Sequence, residues 1–188
     1  MHPQLEAVVA SLEKAQGRLH RLVDQLPDAR WKSRPEPGRW SAAECVQHLN
    51  LTSRAYIPLL RRALESAPVS RRKSTGGYRR DFLGWLFSTL VGPLPKLGKR
   101  RLGRVKTTAD FMPEVTAGRV EVVAEFDRLQ EDLIAATRQA DGLPLEEMMI
   151  VSPFGGTIRY NFYAALRILP RHQLRHLGQA EDAVAVAR

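Results

Sequence analysis

Apolar residues recur at steps of three and four along four stretches of this chain, and each stretch predicts an amphipathic helix. The first runs from about Pro3 to Gln25, with Leu5, Val8, Val9, Leu12, Ala15, Leu19, Leu22 and Val23 on one stripe. Pro27-Asp28 ends it, and the RPEPG loop follows at Arg34 to Gly38. The second has a coded start. Ser41-Ala42-Ala43-Glu44 is a capping-box pattern, in which the Ser41 hydroxyl accepts from the Glu44 amide and the Glu44 carboxylate reaches back. Val46, Leu49, Ala55, Leu59 and Leu60 carry that helix towards Ala67, with Pro58 inside as a potential kink. The third spans Pro113 or Glu114 to about Ala140, with Val115, Val122, Val123, Phe126, Leu129, Leu133 and Ile134 on its apolar face, and Asp141-Gly142 closes it. The fourth starts at Asn161, a good N-cap residue, and reaches about Ala187; Pro170 interrupts it and predicts a bend.

Two links are long. Residues 68–112 join the second and third helices, and their DFLGWLFSTLVGPL segment predicts a short extra helix. Residues 143–160 contain SPFGGTIRY and read as partly extended. The predicted fold is all-α: a four-helix bundle with crossover connections, in one domain over 1–188, with 68–112 as a basic and apolar insert.

Composition adds compartment and charge. An apolar share of 44% suits a globular domain, and one cysteine, Cys45, excludes an intrachain disulfide framework. A lone cysteine of this kind reads as a buried structural thiol. The start, MHPQLEAVVASLEKA, lacks the charged and apolar blocks of a secretory leader, so the expected location is cytoplasmic. Residues 61–106 carry 13 Lys and Arg against two acids, a net +11; the whole chain is +9, so the remainder is slightly acidic at −2. The basic character belongs to one region.

The candidate chemistry is in the histidines. His172 and His176, in HQLRH, lie one turn apart on one helix face, so both imidazoles can point at a single ion. His48 lies on the second helix, on the seam with Cys45 and Leu49. A bundle that packs the second helix on the fourth would bring three neutral imidazoles together and leave ligand positions open. His2, at the terminus, and His20, among arginines, read as surface residues. Gln179, three residues after His176, could orient an imidazole or a bound water. Glu44, one turn before His48, could act as a base on metal-bound water, although capping alone accounts for it.

GRWSAAECVQHLN and RHQLRHLGQAED together resemble the DinB-like superfamily, which includes thiol-dependent transferases of the bacillithiol and mycothiol type and is unrelated to the DNA polymerase of similar name. VKTTADFMPEV, AEFDRLQEDLIAAT and SPFGGTIRYNFYAALRILPRH extend the likeness over most of the chain, with 68–106 the least similar part. The resemblance implies a four-helix bundle holding a divalent metal, often zinc, nickel or iron, on three histidines, here His48, His172 and His176. It implies hydrolysis of a small molecule or transfer of a low-molecular-weight thiol onto one. The competing expectation is a non-catalytic module, its metal structural or absent, that contacts a membrane or a protein partner through the basic insert.

The insert itself has several readings. Phe82, Leu86 and Leu90 form one apolar row and Leu83, Phe87 and Val91 another, with Gly84 and Ser88 opposite. At 14 residues, DFLGWLFSTLVGPL is too short to span a bilayer, which takes roughly 20. A helix packed over the bundle end could roof the metal pocket. Alternatively, the flanking Arg71, Arg72, Lys73, Arg79, Arg80, Lys99, Arg100 and Arg101 could hold it on anionic lipid. Nucleic acid is disfavoured, because no recognition motif accompanies the charge. A homodimer is compatible with an apolar appendage.

Overall fold

A computed structural model describes residues 1–67, 76–93, 96–97, 100–101 and 107–186. Four long helices dominate: α1 (Pro3–Asp24), α3 (Ala42–Glu65), α5 (Arg119–Gln139) and α6 (Phe162–Val186). A single turn, α2 (Asp28–Trp31), follows α1, and the nine-residue α4 (Phe82–Leu90) lies in the link between α3 and α5. Two-residue strands β1 (Lys96–Leu97) and β2 (Arg100–Arg101) pair antiparallel. Strands β3 (Met149–Val151) and β4 (Arg159–Asn161) form a second hairpin, with Ile150 opposite Tyr160. The all-α reading holds. The basic residues Arg71, Arg72, Lys73 and Lys99, and the terminal Ala187, lie outside the described residues.

The helix starts follow local chemistry. Ser41 and Glu44 form the capping box, with the Glu44 amide 3.2 Å from the Ser41 hydroxyl oxygen. Asn161 accepts from the Ala164 amide at 2.9 Å and starts α6. His2 is a half-buried cap and not a solvated end: its Nδ1 accepts from the Gln4 amide, and its ring packs against Tyr78. The third long helix starts at Arg119, later than its apolar pattern predicts. The Gly118 amide donates to the Glu121 carboxylate and fixes the start there. Helices α3 and α6 continue through Pro58 and Pro170.

α1 and α3 each pack against α5 and α6. Side-chain pairs give the directions. Asn50 with Val122, Arg54 with Glu125 and Arg61 with Asp132 place α3 and α5 side by side in the same sense. His48 with His172, and Tyr56 with Tyr160 on β4 just before α6, set α3 against α6 in opposite senses.

The core is split. One apolar cluster collects Leu5, Leu12, Tyr56, Leu60, Leu133, Tyr160, Phe162 and Leu169; the other collects Leu19, Trp31, Val46, Leu49, Phe126 and Leu177. Between them lies a belt of buried polar side chains: His48, Asn50, Thr52 and Ser53 on α3, Gln130 on α5, and His172, Gln173, Arg175 and His176 on α6. Gln130 and Gln173 exchange amide hydrogen bonds at 3.0 and 2.7 Å, and Gln130 also donates to the Leu12 carbonyl at 2.6 Å. One amide pair thus fastens α1, α5 and α6 beside the histidines.

Helix α4 does not roof the histidines. It packs on α6 and β4 through its small side, with Gly84 and Ser88 buried. The approach is close: a Cβ on Gly84 would lie 2.2 Å from the Ala164 Cβ and 3.2 Å from that of Tyr160. Gly84→Ala should therefore push α4 off α6, at about 1–3 kcal/mol of overpacking. Urea unfolding, read beside amide exchange over residues 82–90, checks this: α4 should lose protection before the four long helices.

Candidate metal centre

The position of each histidine is set by its helix. The capping box fixes where α3 begins, and His48 follows Glu44 by one turn on the buried side. His172 and His176 sit one turn apart on the inner face of α6. All three are buried, at 3%, 6% and 8% exposure, and one nitrogen from each lies within 4.8 Å of those of the other two. The structure brings together the three residues that the sequence singled out.

Hydrogen bonding assigns one tautomer. His48 Nδ1 lies 2.9 Å from the Phe111 carbonyl, which can only accept, so Nδ1 carries the proton and Nε2 offers a lone pair. A backbone carbonyl commonly orients a metal-binding imidazole in this way. His48 Nε2 faces His172 Nε2 at 3.3 Å. Two ligands about 2.0–2.1 Å from a tetrahedral ion are separated by about 3.3 Å. Two lone pairs at that distance repel unless a proton or a cation lies between them. Among the described residues, the Nδ1 atoms of His172 and His176 are buried with no hydrogen-bond partner. This donor set fits a divalent ion.

The electrostatics also favour one. Burial lowers the His48 imidazole below its ordinary range, against the opposing effect of the Phe111 carbonyl. His172 and His176 are pushed much further down, first by burial and then by the neighbouring histidines and the Arg175 charge. Gln179 acts the other way on His176. Neutral imidazoles are what a metal requires.

Aromatic rings enclose the cluster. Trp40 lies 4.9 Å from His48 and 5.7 Å from His176, centroid to centroid. Phe154 is 5.9 Å from His172, and Phe111 packs on Phe154 at 4.5 Å. Sequence reasoning did not find these three residues. Trp40 adjoins the capping box, which was a usable signal; Phe111 acts partly through a backbone carbonyl, which leaves no mark in a sequence. Two surface grooves of about 620 and 740 Å³ lie beside the N-terminus of α1, the second also bordered by Tyr163 and Arg167 of α6, and neither shares a residue with the cluster.

The Glu44 carboxylate is occupied. It accepts from the Ser41 amide at 2.8 Å and hydroxyl at 2.9 Å, and from Arg34 Nε at 2.9 and 3.0 Å. Burial works to raise its pKa, but the bonds from Arg34 and Ser41 outweigh that and hold it below its ordinary value. Cys45 is fully buried, and His20 is an exposed partner of Asp127 at 2.9 Å.

The model of the DinB superfamily matches residues 11–180. The chain belongs to the DinB superfamily. No curated protein matches it, and no solved structure does. The match takes in all three histidines of this DinB-like chain together with α4 and the hairpin.

The lowered imidazoles make stability depend on pH with a definite sign. Below about 6.5 the unfolded chain takes up protons that the folded chain refuses. The stabilisation is complete above the unfolded value and is lost as pH falls through and below it, by up to about 1.4 kcal/mol per pH unit for each ring. Thermal unfolding of metal-stripped protein between pH 7.5 and 5 should show the fall. His172→Gln should make the profile less steep.

Proposed function

We propose that this DinB-like chain is a metal-dependent enzyme acting on a small molecule, with a divalent ion on His48, His172 and His176. The observation that carries the reading is the convergence of one nitrogen from each of three buried imidazoles. Zinc, nickel and iron all suit an imidazole set. Such an ion acts as a Lewis acid and lowers the pKa of a coordinated water or thiol towards neutrality. The chain's own residues do the rest. The Phe111 carbonyl fixes the His48 tautomer. Burial and Arg175 keep His172 and His176 unprotonated. Trp40, Phe111 and Phe154 restrict water and offer apolar walls to a substrate.

Two reactions fit: hydrolysis, and attachment of a low-molecular-weight thiol to an electrophile. The commitment of Glu44 to Arg34 and Ser41 favours the thiol reaction, which depends less on a general base. The burial of all three rings supports one alternative, a non-catalytic module whose ion is structural.

Metal analysis of protein prepared without a histidine tag separates these readings. The enzymatic reading expects about one ion per chain, loss of the ion in His176→Ala with the helical circular dichroism retained, and turnover with at least one thiol or hydrolysable substrate. Unfolding on chelation would support the structural ion. Failure of a broad panel of thiols and hydrolysable substrates on loaded protein would remove the catalytic claim.

A further inference from the structure

Helix α4 is inside out. Its buried side consists of Gly84 and Ser88, with Phe87 and Val91 half-buried against the core. Its bulky residues face solvent: Phe82 is 72% exposed, Leu83 45%, Trp85 48% and Leu90 46%. At about 100° per residue, these four with Leu86 and Thr89 cover an arc of about 160° on the outer face. A helix packed on a soluble core normally shows the reverse pattern.

Polar bonds hold α4 in this orientation. Arg80 donates to the Ser88 hydroxyl at 2.5 Å, Arg171 Nε to the Ser88 carbonyl at 2.7 Å, and Arg175 to the Leu90 carbonyl at 2.9 Å. The apolar face is therefore displayed by a seated helix.

Cations line the same edge. Arg79, Arg80 and Arg167 border a groove of about 740 Å³ whose other walls include Phe82, Trp85 and Tyr163. Burial, and then the nearby charges of Arg167 and Arg80, lower the pKa of Arg171. Among the described residues no carboxylate forms an ion pair with Arg80, Arg167 or Arg171. The surface thus combines exposed aromatic and aliphatic side chains with an excess of positive charge, opposed at Arg79 by Glu146, whose carboxylate accepts from the Arg79 amide at 2.7 Å.

We propose that α4 is a docking element for an anionic lipid surface. Phe82, Leu83, Trp85 and Leu90 enter the interface, and Arg79, Arg80 and Arg167 meet the phosphates. No described helix is long and apolar enough to cross a membrane, so the chain lies on the surface by this helix. Charge decides between lipid and a second copy of the chain. A two-fold contact through α4 would press two faces of the same positive sign together, at a cost in repulsion. An anionic bilayer neutralises that cluster while burying the apolar arc.

Flotation of the full, tag-free chain with vesicles tests the proposal. Phosphatidylglycerol-containing vesicles should bind it about tenfold more tightly than pure phosphatidylcholine. Phe82→Ser with Trp85→Ser should weaken binding by about tenfold or more, with helical circular dichroism and metal content unchanged. Arg167→Gln should weaken it about fivefold. Independently of that double variant, wild-type tryptophan emission should shift to the blue with anionic vesicles, and Trp85→Phe should remove the shift. The proposal is overturned by absence of binding to anionic vesicles, by binding indifferent to the Phe82 and Trp85 substitutions, or by a dimer in solution that those substitutions dissociate. Metal content is read separately, so loss of lipid binding and loss of the metal centre are distinguishable.

Discussion

Taking imidazoles out of water inside a helical bundle is the constraint on which this structure turns. A buried polar ring with an unfilled hydrogen-bonding position costs roughly 1–3 kcal/mol. This fold places three imidazoles in one layer and, among the described residues, leaves the Nδ1 atoms of two of them without partners. The layer is tolerated because stability comes from elsewhere. One apolar cluster packs around Tyr56, Leu133 and Phe162, and another around Trp31, Leu49 and Phe126, so the belt lies between two well-filled ends. Stability and chemistry are thereby assigned to different layers of the same four helices.

The belt requires register as well as burial. His48 comes from α3, and His172 and His176 from the oppositely directed α6. A slip of one residue would turn α6 by about 100° and carry the pair away from His48. Polar contacts on either side resist that slip. The Tyr56 and Tyr160 hydroxyls bond to each other towards one end of the bundle. The Gln130 and Gln173 amides pair directly beside His172. Towards the other end, Arg18 on α1 holds Glu181 on α6 with two bonds of 2.5 Å. Each of these is directional, and together they define one rotational setting where apolar packing would accept several.

The sequence discloses unequal parts of this arrangement. Helical periodicity and the Ser41–Glu44 box locate the long helices because those signals are local. The spacing of His172 and His176 is local too, and placing His48 with them requires only that α3 meet α6. What stays hidden depends on contacts distant in sequence. The Phe111 carbonyl that orients His48 belongs to a link of 53 residues between α3 and α5, with nothing local to point to it. The Arg34–Glu44 pair depends on how the loop after α2 folds back. The orientation of α4 stays hidden for a related reason. Its apolar rows favour an inward packing, and only the fit of Gly84 against Ala164, with arginines from α6 on the α4 carbonyls, turns it over.

Those arginines also join the two functional regions. α4 lies along the outer side of α6, while the histidines occupy the inner side, yet Arg175 bears on both. It donates to the Leu90 carbonyl at the end of α4, and its charge opposes protonation of His172 and His176. Arg171, one turn before, is bonded to the Ser88 carbonyl of the same helix. The carbonyls near the end of a helix carry partial negative charge, so these cations complement the α4 terminus while keeping positive charge close to the imidazoles. A displacement of α4 would therefore alter the surroundings of a charge that helps to keep the metal ligands neutral. The histidine cluster and the exposed helix share no residue, but they are electrostatically connected through the α6 backbone and one buried guanidinium.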